Sequence, residues 1–90
     1  EMDAIIINMK EPDNVVESMI IESKRQKVAQ IIQTARVQKG WTQEELAERL
    51  GVRRQTIIKI EGCKYSPNAD ILYLILECLE LTLKIGNEEV

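Results

Sequence analysis

Histidine and phenylalanine are both absent from this chain of 90 residues, and its aromatic residues are Trp41, Tyr65 and Tyr73. Without histidine, the commonest general base and the commonest metal ligand are missing. The two cysteines, Cys63 and Cys78, stand far apart with no Cys-x-x-Cys spacing. They read as inert, reduced thiols of a cytoplasmic protein rather than as a metal or redox pair. No Gly-rich phosphate loop, nucleophile elbow or metal-ligand spacing occurs. No apolar run approaches the roughly 20 residues that span a bilayer, and there is no secretory signal pattern at the start. A membrane protein, a disulfide scaffold and a cofactor enzyme are therefore set aside. The expectation is a non-enzyme with no cofactor and no metal.

What remains is leucine, isoleucine, valine and alanine at helical spacing, enough for one small domain with a single modest core. The formal net charge is -3, but it is unevenly spread. Residues 1–23 carry Glu1, Asp3, Glu11, Asp13, Glu17 and Glu22 against Lys10, a net of -5, while residues 24–90 carry a net of +2. The reading is an acidic, partly ordered N-terminal arm over 1–23 and a mildly basic domain over 24–90. The arm is either a solvated tail or a surface for a basic partner.

Along the arm, Ala4–Met9 is a short β-prone run, Pro12 suits the first residue of a helix, and Val15, Val16, Met19 and Ile20 fit one or two helical turns. Ser23 with Gln26 reads as a capping box that opens a second helix. Its inward stripe is Val28, Ile31, Ile32 and Ala35, and Gly40 ends it. Thr42 with Glu45 forms another capping box, followed by Leu46, Ala47 and Leu50 on one face. Gly51 suits the left-handed residue that ends this helix, Val52 is buried in the turn, and the chain restarts as a helix with Ile57 and Ile60 inward. Gly62 stops that helix, and Asn68 or Ser66 caps a fifth, in which Ile71, Leu72, Leu74, Ile75, Leu76 and Leu79 are apolar almost all round. A helix with two apolar faces needs a partner beyond its own core. Leu81, Leu83 and Ile85 then alternate with Thr82 and Lys84 as a short strand. A lone strand has no ladder, so it is expected to pair with a second copy or with the arm's Ala4–Asn8.

A helix, a tight glycine turn and a second helix make a helix-turn-helix arrangement. The details go further: Arg36 four residues before Gly40, Thr42-Gln43, Glu45-Leu46-Ala47, Leu50-Gly51-Val52, Thr56-Ile57, Ile60-Glu61-Gly62 and then Pro67. In these residues the chain resembles the lambda-repressor/Cro-type (XRE) helix-turn-helix family, over about half its length. The segment Leu74–Ile85 is most similar to the tail of HipB- and HigA-type antitoxins, dimeric repressors that bind a toxin and their own operator.

The resemblance implies a role for each matching position. Arg54, Gln55 and Lys59 fall at the base-reading positions of the major groove, and Thr56 belongs to the same contact set. Arginine can donate twice to guanine and glutamine can pair with adenine. Arg53 stands where the family has a Ser or Thr cap, which costs capping and adds a charge near the DNA. Gln43 matches a backbone-binding glutamine at a helix start, where free N–H groups favour phosphate. Lys64 and Tyr65 are further phosphate contacts. Arg36 and Glu61 match a buried structural salt bridge. Ile58 departs from a small or polar position and leans toward packing. Ile75, Leu79, Leu81, Leu83 and Ile85 are expected at a homodimer interface.

The expected architecture is an all-α, five-helix helix-turn-helix domain whose short C-terminal β-strand pairs across the dimer. The expected function is a cytoplasmic repressor reading an inverted-repeat operator in double-stranded DNA, the antitoxin of a toxin–antitoxin pair that binds a cognate toxin and autoregulates its operon. The alternatives are a stand-alone phage-type or restriction-controller regulator, and a protein-interaction module without DNA binding.

Overall fold

No glycine or proline interrupts residues 15–38, and they form one unbroken helix, α1 (Val15–Gln38). The computed structural model describes residues 15–90. After α1 come α2 (Gln43–Leu50), α3 (Arg54–Glu61), α4 (Ala69–Cys78) and a hairpin of β1 (Lys84–Ile85) with β2 (Glu88–Glu89). The described residues thus hold four helices and not five. Ser23 does not cap a new helix; it lies exposed within α1. A break there would orphan the carbonyls of the turn before Ser23, where no glycine or asparagine is present to cap a helix end. The helix also runs across the expected boundary between arm and domain. The strand expected at Ala4–Met9 and the helix start at Pro12 lie outside the described residues.

Local chemistry fixes the other helix ends. The Thr42 side chain accepts from the Glu45 N–H at 3.0 Å, and Glu45 Oε1 accepts from the Thr42 N–H at 2.7 Å. That reciprocal box starts α2. Gly51 closes α2 at φ 73° and ψ 28°, a left-handed conformation in which a side chain is strained. The turn then lets the Val52 N–H donate to the Ala47 carbonyl at 3.0 Å. Arg53 occupies the N-cap of α3 and makes no side-chain cap bond. At the far end of α3 the left-handed residue is Cys63, at φ 63°, and the Lys64 N–H donates to the Lys59 carbonyl at 2.8 Å. Asn68, rather than Ser66, caps α4, its Oδ1 accepting from the Ile71 N–H at 2.8 Å.

The core joins Ile32 and Ala35 of α1, Leu46 and Ala47 of α2, Ile57 and Ile60 of α3, Ile75 of α4, and Leu79. Val28, Trp41, Leu50, Val52, Ile71, Cys78 and Leu81 pack around it half-buried. Ala47 supplies the close approach of α2 to its neighbours. Ile31, expected inward, is half exposed, and Ala29 takes the buried place on α1. Two dimer-face expectations are also corrected: Ile75 and Leu79 are 0% and 3% exposed and fill the domain's own core. They are drawn inward because α4 packs against α2, beside Leu46 and Ala47.

The C-terminal strand is corrected too. Lys84 pairs with Glu89 and Ile85 with Glu88 in an antiparallel register, turning at Gly86, φ 64°. The expected strand from Leu81 to Ile85 is therefore shorter, and one of its edges is paired within the chain. Gly86-Asn87 is a two-residue hairpin signal, and the glycine accepts the positive φ that such turns require.

Apolar surface remains outside the core. Val15, Val16, Met19, Ile20 and Ile21 are half to two-thirds exposed on the first half of α1. Tyr73 and Leu74 are exposed on the outer face of α4, with Ile85 and Val90 on the hairpin.

Candidate nucleic-acid interface

Helix α3 presents two chemically different sides. Ile57 and Ile60 are buried at 0% and 2% exposure, while Arg53, Arg54, Gln55 and Lys59 are exposed, with Thr56 and Ile58 between the two. The i, i+4 spacing of Gln55 and Lys59 puts them on one line opposite the core. Ile58 is half-buried at the edge of that face, in keeping with a packing role. At 1.5 Å per residue the rod is about 12 Å long, a length that fits a major groove.

A polar network fixes the end of this rod. Arg36 Nε donates to Glu61 Oε2 at 2.7 Å and Nη2 to Oε1 at 3.0 Å, a two-pronged pair. The third donor, Nη1, goes to the Trp41 carbonyl at 2.7 Å. The side chains of Arg36 and Glu61 are 10% and 3% exposed. Gln43 Nε2 also donates to Glu61 Oε1, at 3.0 Å. A carboxylate only accepts here, so the amide nitrogen must be the atom that faces it. One carboxylate, on the last residue of α3, thus ties α1 to the first residue of α2, and Arg36 adds the turn between them.

The cations divide by occupation. Arg36 holds Glu61; Lys39 Nζ contacts Glu80 Oε1 at 2.7 Å; Arg49 stacks on the Trp41 ring at 4.0 Å from its centroid. Arg53, Arg54, Lys59 and Lys64 are exposed and form no ion pair among the described residues. Lys24 and Lys27 of α1 and Lys84 of β1 are likewise exposed without an ion pair among the described residues, but the four just named lie together on α3, its cap and the loop just beyond it. Their charge meets water and whatever approaches this side. Gln43 differs from the other candidates, because its amide is half-buried and already bonded. Tyr65 is 40% exposed beside Lys64.

Sequence reading overlooked Arg25. Its Nε donates to Ser66 Oγ at 2.7 Å, bridging α1 to the loop after α3 across 41 residues. No local pattern announces a contact between positions so far apart. The Gln43–Glu61 bond was overlooked for the same reason.

With this geometry in view, a sequence model described as helix-turn-helix matches residues 32–85. The chain belongs to the helix-turn-helix family. A relative from Methanothermobacter thermautotrophicus, an uncharacterized HTH-type transcriptional regulator, is 49% identical over 49 residues, covering 54% of this chain and 71% of that protein. A second HTH-type regulator, from Archaeoglobus fulgidus, is 48% identical over 44 residues, 49% of this chain and 63% of its own length. Antitoxin HipB of Escherichia coli K12 is 33% identical over 58 residues, 64% of this chain and 66% of HipB. Among solved structures, a HipA-HipB-O2-O3 complex contains a chain that matches with a TM-score of 0.59 at 31% identity, covering 68% of this chain and 86% of that one. A structure named MDT Protein matches with a TM-score of 0.60 at the same identity. The helix-turn-helix expectation is met in fold and family. No helix of the described residues is long and apolar enough to cross a membrane.

Proposed function

We propose that this helix-turn-helix chain is a sequence-specific DNA-binding repressor that acts as a homodimer on an inverted repeat. The observation that carries the reading is the outward side of α3. Arg54, Gln55 and Lys59 stand exposed there, while the helix is anchored from behind by Ile57, Ile60 and Glu61. Arg54 and Gln55 supply the donor geometry that reads guanine and adenine edges, and Arg53, Lys59 and Lys64 supply charge for the flanking phosphates. DNA binding needs positive potential where phosphates lie, not a basic chain overall.

One such rod reads only a few base pairs. A twofold dimer sets two of them about 34 Å apart, in successive grooves. The outer face of α4 and the hairpin supply a surface for that dimer. A cleft of about 270 Å³ there is lined by Tyr73, Leu76, Glu77, Leu81, Leu83 and Val90, with Ile85 exposed nearby.

The fuller reading is an antitoxin that also binds a toxin and represses its own operon. The likeness to antitoxin HipB and to a HipA-HipB complex supports it. A stand-alone regulator is favoured by the higher identity, 49%, to an HTH-type transcriptional regulator.

Selection of bound duplexes from a random pool should yield an inverted repeat. Arg54→Ala with Lys59→Ala should abolish its binding while the unfolding midpoint holds. Unchanged binding in that variant would overturn the DNA-reading role. Co-purification with the product of an adjoining reading frame separates the antitoxin from the solitary regulator.

A further inference from the structure

The loop that follows α3 carries Lys64 and Tyr65 on the side assigned above to the phosphates, and it is held in place by a residue from another helix. Arg25 of α1 is half-buried and spends only its Nε, on Ser66 Oγ at 2.7 Å. Its two terminal nitrogens have no hydrogen-bond partner among the described residues. On one side Arg25 stands with Lys24 at a mainly apolar cleft, lined by Ile20, Ile21, Val28 and Leu72 together with Tyr65 and Ser66. On the other it borders Cys63, the left-handed residue that ends α3. No acidic residue lines the first depression; Glu22 lines the second without approaching Arg25 as an ion pair.

We propose that Arg25 is a phosphate-contacting residue that extends the DNA-backbone footprint from the α3–α4 loop onto α1. The inference rests on the DNA-binding reading and adds a contact that the helix-turn-helix segment alone does not contain. A guanidinium held by its Nε keeps its two outer amino groups in a fixed plane, the geometry that meets two oxygens of one phosphate. Ser66 is what holds the plane: its hydroxyl accepts from Nε, so binding costs Arg25 less ordering than a free side chain would incur. Glu22, one turn earlier on α1, opposes the same phosphate by charge.

The test is the salt dependence of binding to the selected operator, using full-length protein. Each neutralised phosphate contributes about 0.9 to the slope of log affinity against log salt. A dimer lacking two contacts should lose roughly 2 from that slope. The affinity deficit of Arg25→Gln should therefore shrink by about tenfold between 50 and 200 mM salt. Discrimination between the operator and base-substituted duplexes should not change, because the contact positions and does not read. Arg25→Lys should keep most of the slope, and Glu22→Gln should tighten binding. Ser66→Ala separates loop anchoring from charge: it removes the bond, keeps the guanidinium, and should leave the slope at the wild-type value. A wild-type slope in Arg25→Gln, with Arg54→Ala still abolishing binding, overturns the proposal and leaves the DNA reading intact. Failure to select any operator removes the DNA reading itself, and this contact with it.

Discussion

Removal of the Glu61 carboxylate tests how firmly the recognition rod is anchored. Glu61→Ala deletes three hydrogen bonds at once, two from Arg36 and one from Gln43. Arg36, 10% exposed in its side chain, would keep only its bond to the Trp41 carbonyl. Breaking one side of a buried pair costs about 3–5 kcal/mol, because a desolvated charge is left behind. The retained bond and the residual exposure favour the lower end, about 3 kcal/mol. A domain of this size has roughly 5–10 kcal/mol in total, so the variant should fold but only just. In urea, with a slope of about 1.5 kcal/mol/M, the midpoint should fall by roughly 2 M.

Replacing both partners distinguishes anchoring from net stabilisation. Arg36→Met with Glu61→Leu puts apolar groups of similar size where the charges were, and such exchanges are often neutral or better. The double variant should therefore lie within about 1 kcal/mol of wild type, at least about 2 kcal/mol more stable than Glu61→Ala. A Glu61→Ala cost below about 1 kcal/mol would refute the reasoning, because that is what an exposed, screened pair yields.

Three further outcomes follow from the helix ends. Arg53→Ser restores the missing cap of α3 and should raise stability by about 1 kcal/mol in a denaturation curve, while weakening operator binding in a gel shift by removal of a phosphate-facing charge. Cys63→Gly relieves a left-handed residue at φ 63° and should stabilise the domain by up to about 1 kcal/mol in the same assay. Glu80, fully exposed, has its pKa lowered from 4.5 by the Lys39 hydrogen bond and then by the Lys39 charge. A depressed carboxylate stabilises the fold above its unfolded pKa, and that small contribution is lost as pH falls through the folded value. The difference in melting temperature between wild type and Lys39→Met should therefore vanish in acid below the ordinary carboxylate range, and a difference that grew there would contradict the pairing.

Much of the fold was legible because its signals are local. Thr42 and Glu45 are three residues apart, and their reciprocal bonds need nothing beyond the first turn of α2. Gly51 announces the turn for the same reason. The inward positions Ile57 and Ile60 follow from helical spacing alone, and so does the exposed side that bears Arg54, Gln55 and Lys59. Other features depended on tertiary context. In α4 nearly every position is apolar, so periodicity does not say which side faces the core; packing against α2 selected Ile75 and left Leu74 outside. The continuity of α1 was missed because a serine with a glutamine three residues on is a start signal only where a helix is not already running. The hairpin was within reach of the sequence: Gly86-Asn87 between Ile85 and Glu88 is a turn signal, but a strand of two residues gives no alternation to flag its partner. At the candidate site, the Arg36–Glu61 pair came from the motif, whereas Arg25 and the Gln43 amide reach their partners across 41 and 18 residues.

A rod that reads bases has two opposed needs: its axis must be fixed, and its outward side chains must be free to meet a partner. The chain separates them by face and by end. Behind α3, Ile57 and Ile60 are buried, and at its C-terminus Glu61 accepts from residues of α1 and α2. At its N-terminus no side chain caps the helix; Thr56 bonds back to the Arg53 carbonyl, and the N-cap residue itself is a cation. Uncapped N–H groups and the positive end of the helix dipole favour an anion there. The absent cap is a local cost of about 1 kcal/mol, and it leaves donors of the first turn without a side-chain acceptor. Stability is thus concentrated at the C-terminal end of α3, while the N-terminal end, where Arg53 and Arg54 stand exposed, is left without a side-chain cap.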